Sequence, residues 1–201
     1  MKKNYVLIDF ENVQPASIAA LGAEHFEVIV FCGANQTKVP LDLAMTMQRM
    51  APRARYLQIA GHGANALDFH IAFYIGELAA KDPAAFFHII SKDKGFDPLV
   101  AHLKTRSIFA ARSASIGEIP LLKAAGAKTP DDRLKAAVEN LSQRGNSRPR
   151  TIKTLTSTLS ALFNKQLSEP EIATLIDRLA KARLIAIDGA KVVYSLKPAE
   201  G

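Results

Sequence analysis

A single cysteine, Cys32, is all the thiol that this 201-residue chain contains. One cysteine excludes an internal disulfide framework and a thiolate-bound metal cluster. Its position at the end of an apolar stretch reads as a small buried hydrophobe. Long apolar runs are also lacking: no stretch approaches the length of a membrane span, so no membrane association is expected. Lys2-Lys3 ahead of apolar residues resembles the opening of a secretory signal. That run stops at Asp9 with no cleavage-type segment, and the cytoplasm is the expected compartment. Repeats and long low-complexity segments are absent. Acidic residues are in the minority, 19 Asp and Glu against 26 Lys and Arg, for a net charge of +7. The excess is uneven: 13 basic residues face 11 acids up to Gly126, and 13 face 8 beyond it. Such a balance favours a polyanionic partner. Hydrophobic residues at 48% and charged ones at 22% supply an ordinary globular core.

What is present first is the stretch Tyr5-Val6-Leu7-Ile8-Asp9-Phe10-Glu11-Asn12. Its apolar run is too short for a helix and reads as a buried central strand of a parallel sheet. Further strands are expected at Phe26 to Phe31, Tyr56 to Ile59, Phe86 to Ile90 and Ser107 to Ala110. Between them helices are expected over Pro15 to Leu21, over Val39 to Met50 with Leu41, Met45 and Met50 on one face, from Asn65 onward, and from Asp97 through Lys104. In the helix after Asn65 the apolar residues Leu67, Ile71, Ile75 and Leu78 recur at helical spacing. Phe69, Phe73 and Tyr74 on the same helix read as core. A further helix is expected over Glu118 to Ala125. Alternating strands and helices predict an α/β domain whose parallel sheet is covered by helices on both faces. Gly126-Ala127-Lys128-Thr129-Pro130 breaks the alternation, giving expected domains over 1–126 and 127–201.

Open α/β sheets place their sites beyond the C-terminal strand ends. Asp9 ends the first strand, Asp68 opens a helix, and Asp93 follows the fourth strand with Asp97 close behind. Each has an ordinary alternative: Asp9 and Asn12 as turn residues, Asp68 as a helix-start acid favoured by the dipole, and Asp97 before Pro98 as an N-cap. Carboxylates brought into one crevice repel unless a proton or a cation intervenes. Oxygen ligands of this type suit Mg²⁺ or Mn²⁺ rather than zinc, and such ions activate water for attack on a phosphodiester. Glu11 is a further acid whose direction the strand pattern leaves open. Ser91, Lys92, Lys94 and His62 are candidates for phosphate contacts, and Asn35, Gln36 and Lys38 form a polar loop on the same edge.

Val6-Leu7-Ile8-Asp9-Phe10-Glu11-Asn12 and Ile89-Ile90-Ser91-Lys92-Asp93-Lys94-Gly95-Phe96-Asp97-Pro98-Leu99 resemble the paired signatures of PIN-like nucleases, especially their NYN branch. Asp68 is similar to that group's middle acid. The resemblance spans about Lys3 to Gly126. It implies a PIN-like fold and a metal-dependent nuclease acting most often on RNA, with Asp9, Asp68 and Asp93 as ligands of Mg²⁺ or Mn²⁺ and Asn12 assisting. The chain departs from the group's Ser-x-Asp-x-Asp-Phe form at Gly95, and Asp97 is the candidate ligand to compensate.

Beyond Gly126 the pattern is different. Helices over Asp131 to Leu141, from Ile152 and from Glu169 precede two strands joined at Asp188-Gly189, a hairpin signal. This order resembles a small winged helix-turn-helix. Its third helix carries Glu169, Glu171 and Asp177 and offers phosphates little, whereas Arg144, Arg148, Arg150 and Lys153 form a polyanion patch, Arg148 and Arg150 being the candidate substrate contacts. The module is equally suited to dimerisation or to docking a protein. The leading expectation is a metal-dependent ribonuclease acting on single-stranded RNA. The alternatives are a non-catalytic nucleic-acid adaptor with a degenerate site and, from Asp9-Phe10-Glu11-Asn12-Val13, a phosphatase of the haloacid-dehalogenase type.

Overall fold

The structure is a computed structural model that describes residues 2–163 and 165–196. It divides into two compact units, 1–119 and 120–201.

In the first unit five strands form one parallel sheet: β1 (Asn4–Asp9), β2 (Phe26–Cys32), β3 (Ala54–Gln58), β4 (Phe86–Ile90) and β5 (Phe109–Ser113). Their order is β3-β2-β1-β4-β5. The chain therefore builds outward from β1 in one direction, then returns to lay β4 along its other edge. That reversal opens a crevice at the C-terminal ends of β1 and β4, the place where such sheets hold their ligands. In register, Ile8 lies beside Ile90, so Asp9 and Ser91 leave the sheet side by side.

Three helices cover the sheet: α1 (Leu41–Met50), α2 (Ala66–Lys81) and α3 (Phe96–Thr105). Leu67, Ile71, Ile75 and Leu78 of α2 are buried against Leu7, Ile29, Phe31, Phe87 and Ile89. Each such side chain contributes roughly 1.5–3 kcal/mol of burial. The alternating residues Val6, Ile8, Val28 and Val30 are buried on the opposite face of the strands.

Several local expectations are corrected. Pro15 to Leu21 forms only a short 3-10 turn at Ala19–Leu21. Leu43, Met47 and Met50 are the inward face of α1, while Leu41 and Met45 are 74% and 43% exposed. Phe69 and Phe73, expected in the core, are 70% and 66% exposed on the outer side of α2. Tyr74 alone of the three turns inward, its ring edge-on to Phe31 at 5.5 Å. Cys32 is buried, as its setting implied.

The second unit comprises α4 (Pro120–Gly126), α5 (Pro130–Gln143), α6 (Ile152–Leu162), α7 (Glu169–Lys181) and an antiparallel hairpin of β6 (Ile185–Asp188) and β7 (Lys191–Tyr194). Its own core gathers Leu141, Leu155, Leu159, Leu162, Leu175 and Leu179, and includes Ala124 of α4. The helix that ends at Gly126 thus packs with this unit. Thr129, Thr151 and Ser168 each head a reciprocal capping box, with Asp132, Thr154 and Glu171, which fixes where α5, α6 and α7 begin. No helix among the described residues is long and apolar enough to cross a membrane.

Candidate active site at the sheet switch point

Asp9 is fully buried at the end of β1, and its carboxylate accepts four hydrogen bonds. Oδ1 accepts from the backbone N–H groups of Glu11 and Asn12 at 3.2 and 3.1 Å. Oδ2 accepts from Asn12 Nδ2 and from Ser91 Oγ, both at 2.7 Å. A buried carboxylate is tolerated when its lone pairs are met in this way. Asp9 thus closes the turn after β1 and clasps the neighbouring β4 terminus.

Ser91, also buried, carries the connection onward. Its hydroxyl donates to Asp9 and accepts the backbone N–H of Asp93 at 3.0 Å. Asp93 Oδ1 in turn accepts Gly95 N–H at 2.7 Å. A Cβ at position 95 would lie 3.1 Å from that same oxygen. Gly95 therefore leaves room for the Asp93 carboxylate, which a side chain there would crowd.

Asp68 sits in the first turn of α2, after Asn65, whose φ of 60° turns the chain into the helix. Asparagine adopts that left-handed backbone more readily than most residues. The Asp68 carboxyl is pushed up to about 6, first by burial and then by the charges of Asp9, Asp93 and Glu11. Three acids from two other chain segments thus act on Asp68. Glu11 reaches the crevice because Gly33 has no side chain: a Cβ there would fall 1.9 Å from Glu11 Oε1. Beside Glu11 a cleft of about 210 Å³ extends past Asn35, Gln36 and His62.

Asp97, the candidate compensating ligand, is held by an arginine. Arg112 Nε donates to its Oδ1 at 2.6 Å and Nη2 to its Oδ2 at 3.1 Å. Both oxygens are thereby engaged by one guanidinium, the strong fork geometry of arginine with a carboxylate. Nor does Asp97 cap α3, which starts at Phe96 with no side-chain cap. Lys92 and Lys94 are exposed on the loop that carries Asp93. Arg148 and Arg150 belong to the second unit.

The acids at the crevice offer carboxylate oxygens, the chemistry that suits Mg²⁺ or Mn²⁺. Their mutual repulsion at Asp68 is of the kind a cation relieves. As placed, no three His, Cys, Asp or Glu side chains among the described residues are gathered tightly enough to hold an ion. A bound ion would have to draw the acids together.

The chain thus presents acids at the switch point of a five-stranded parallel sheet. A family model for the PIN domain matches residues 3–113, more than half of the chain, and the chain belongs to that family. PIN domains are typically nucleases. No curated protein and no solved structure matches the chain.

The residues that sequence reasoning missed are long-range partners. Arg112 lies 15 positions from Asp97, and nothing in the local pattern of β5 marks it. The seat of Glu11 on Gly33 is similarly non-local. A glycine directly after an apolar strand, at the same sheet edge as the acids, is the one signal that would have suggested it.

Proposed function

We propose that the chain is a metal-dependent endoribonuclease that cleaves single-stranded RNA at this crevice, with the second unit aiding substrate binding. The observation that carries the reading is the PIN-domain match over residues 3–113, which spans Asp9 at the end of β1, Asp68 in the first turn of α2 and Asp93 after β4. Burial and the charges of Asp9, Asp93 and Glu11, which push the Asp68 carboxyl up, point the same way. A carboxyl perturbed by burial and by neighbouring acids in a cleft is a mark of a site built for chemistry. RNA rather than DNA is proposed on the resemblance of the two motifs to NYN-type domains.

In this reading Asp9, Asp68 and Asp93 hold Mg²⁺ or Mn²⁺. The ion when bound supplies Lewis-acid stabilisation of the phosphodiester oxygens and lowers the pKa of a water nucleophile. The protein's own part is orientation. Asn12 and Ser91 hold Asp9 through Oδ2, and Ser91 fixes the loop of Asp93 through its backbone N–H. Lys92 and Lys94, exposed beside Asp93, offer ammonium groups to the flanking phosphates of the strand. In the second unit Arg148 and Arg150 supply further phosphate contacts, within an order of helices and hairpin that we read as winged-helix-like. Metal-dependent cleavage of a labelled single strand, lost in Asp93→Asn, tests the assignment.

A second reading has a specific observation in its favour. Asp9 already accepts four hydrogen bonds, Gly95 stands where the family pattern carries an acid, and Arg112 neutralises Asp97. Those features describe a PIN domain that binds nucleic acid without cutting it. Binding that persists with no cleavage in any divalent metal would favour that adaptor. The phosphatase alternative is set aside, because the PIN-domain match spans the Asp9 motif on which it rested.

A further inference from the structure

We propose that the second unit takes a single nucleic-acid strand in the groove between residues 145–151 and β7, with phosphates on Arg150 and Lys191 and a base or ribose against Val193. The proposal rests on the nucleic-acid reading above and specifies which surface of the second unit, and which form of nucleic acid, that reading involves.

The groove has a volume of about 510 Å³, and its lining includes Arg148, Arg150, Thr151, Lys191, Val193 and Tyr194. Its walls are fixed by backbone pairing. Val192 N–H donates to Arg150 O at 3.0 Å, Ile152 N–H donates to Ala190 O at 3.0 Å, and Thr151 bridges Lys191 in antiparallel fashion. The segment entering α6 thus runs as a short third strand along β7. Two exposed cations, Arg150 and Lys191, are carried on this braced edge, and neither forms an ion pair among the described residues. Asp188 is the register partner of Lys191 across the hairpin, without a salt bridge between them.

The floor is of a different character. Val193 is 58% exposed. Tyr194 donates its hydroxyl to Pro149 O at 2.7 Å, and its ring lies 5.5 Å beneath the Arg148 guanidinium. Arg148 is steadied by an Nε–H bond to Leu141 O at 2.8 Å. Burial pushes the Tyr194 hydroxyl up to about 12 against the pull of Arg148 and Arg144, so it brings no negative charge to the groove. Val193 shares the outward face of β7 with Lys191, so a cationic rim beside this exposed apolar side chain accommodates a splayed base together with its phosphates. A duplex, whose bases are stacked and paired inside, would have no use for the floor.

The opposite choice, reading through α7, is disfavoured by charge. Arg133 is paired with Glu171 at 2.9 Å, and Arg178 of α7 is paired with Asp131 at 2.5 Å. Glu169, Glu171 and Asp177 remain exposed along that helix, a surface that repels phosphate.

The test uses the full chain carrying Asp93→Asn in EDTA, so that cleavage plays no part. Fluorescence anisotropy would follow binding of a labelled oligouridylate of about 12 nucleotides, and of an RNA duplex of equal length, over a salt series. The strand should bind more tightly than the duplex. Arg150→Ala with Lys191→Ala should weaken it about tenfold or more and reduce the slope of log K against log salt by about 1.4, two phosphates at about 0.7 each. Val193→Ser should weaken strand binding with no change of slope. Lys181→Ala on α7 should have no effect. Unchanged affinity and slope in the double variant, preference for the duplex, or displacement of the strand by polyglutamate at equal charge would each overturn the proposal. Absence of any nucleic-acid binding by the parent chain would instead remove the reading on which it rests.

Discussion

Arg112 closes on Asp97 with two bonds of 2.6 and 3.1 Å, and its remaining nitrogen, Nη1, donates to the Ser91 carbonyl at 3.2 Å. One guanidinium on β5 thus anchors both the start of α3 and the end of β4, the two supports of the loop that carries Asp93. The pair is mostly shielded from solvent, so each charge depends on the other.

Removing one partner should therefore be felt both in stability and at the crevice. Arg112→Met is expected to lower stability by about 1–3 kcal/mol in denaturant unfolding. Asp97→Asn should also destabilise, yet leave Mn²⁺ affinity measured by calorimetry near wild type. If Asp97→Asn lost as much Mn²⁺ affinity as Asp93→Asn, Asp97 would be a ligand and its exclusion from the site would fail.

Gly95 offers a second, local test. Its φ of −56° is ordinary helical backbone, so alanine there is not strained by conformation. Any effect must come from the Cβ pressing on Asp93 Oδ1. Gly95→Ala should weaken metal binding with little change in melting temperature. Gly95→Asp, although it restores the acid of the family pattern, should do no better than Gly95→Ala. A gain in Mn²⁺ affinity on Gly95→Asp would show that the missing acid, not room for Asp93, governs the site.

Asp68 ties the crevice to pH. In the fold its carboxyl is pushed up to about 6 from its ordinary 3.8, first by burial and then by the neighbouring acids. The folded state therefore holds the proton more tightly than the unfolded one, and in EDTA its contribution to stability is lost as pH rises from about 4 through about 6. Asp68→Asn should raise the melting temperature at pH 7.5 in EDTA and flatten the profile over that window. Mn²⁺ should stabilise the wild-type protein more than the variant. A variant that melts at or below the wild-type temperature in EDTA would contradict the repulsion inferred among the acids.

His88 acts in the opposite sense, away from the site. It is buried in β4, with its Nε2 paired to Asn4 Oδ1 at 3.0 Å. Because Asn4 Nδ2 donates to Lys2 O, Oδ1 is the acceptor and Nε2 carries the proton. Burial lowers the imidazole from 6.5 to about 3. The unfolded chain takes up the proton first, so stability should fall as pH drops below about 6.5, by up to about 1.4 kcal/mol per pH unit from this group. His88→Gln should flatten that slope in urea titrations between pH 6.5 and 4. An unchanged slope would place the acid sensitivity elsewhere.

Much of the first unit was legible in the sequence because its signals are local. The run ending at Asp9 can be little other than a buried strand, and Leu67, Ile71, Ile75 and Leu78 mark the inner face of α2 by spacing alone. The same spacing argument failed for Leu41 and Met45, since α1 is phased on Leu43, Met47 and Met50. Phe69 and Phe73 misled by residue type: large aromatics suggest core, but their turn of α2 faces away from the sheet. The acids at the strand ends could be listed from topology. The competition for them could not, because whether Asp97 serves an ion or an arginine depends on what β5 delivers 15 residues later.

The most direct measurement of the central claim is single-turnover cleavage of a labelled single-stranded RNA, with a matched DNA strand beside it. Wild type and Asp93→Asn would each be run with Mg²⁺, with Mn²⁺ and with EDTA. Cleavage of the RNA is expected to require the metal, to be abolished by EDTA and to fall by orders of magnitude in the variant while binding persists. Cleavage by Asp93→Asn at the wild-type rate, or no cleavage by wild type in either metal while the strand stays bound, would contradict the claim.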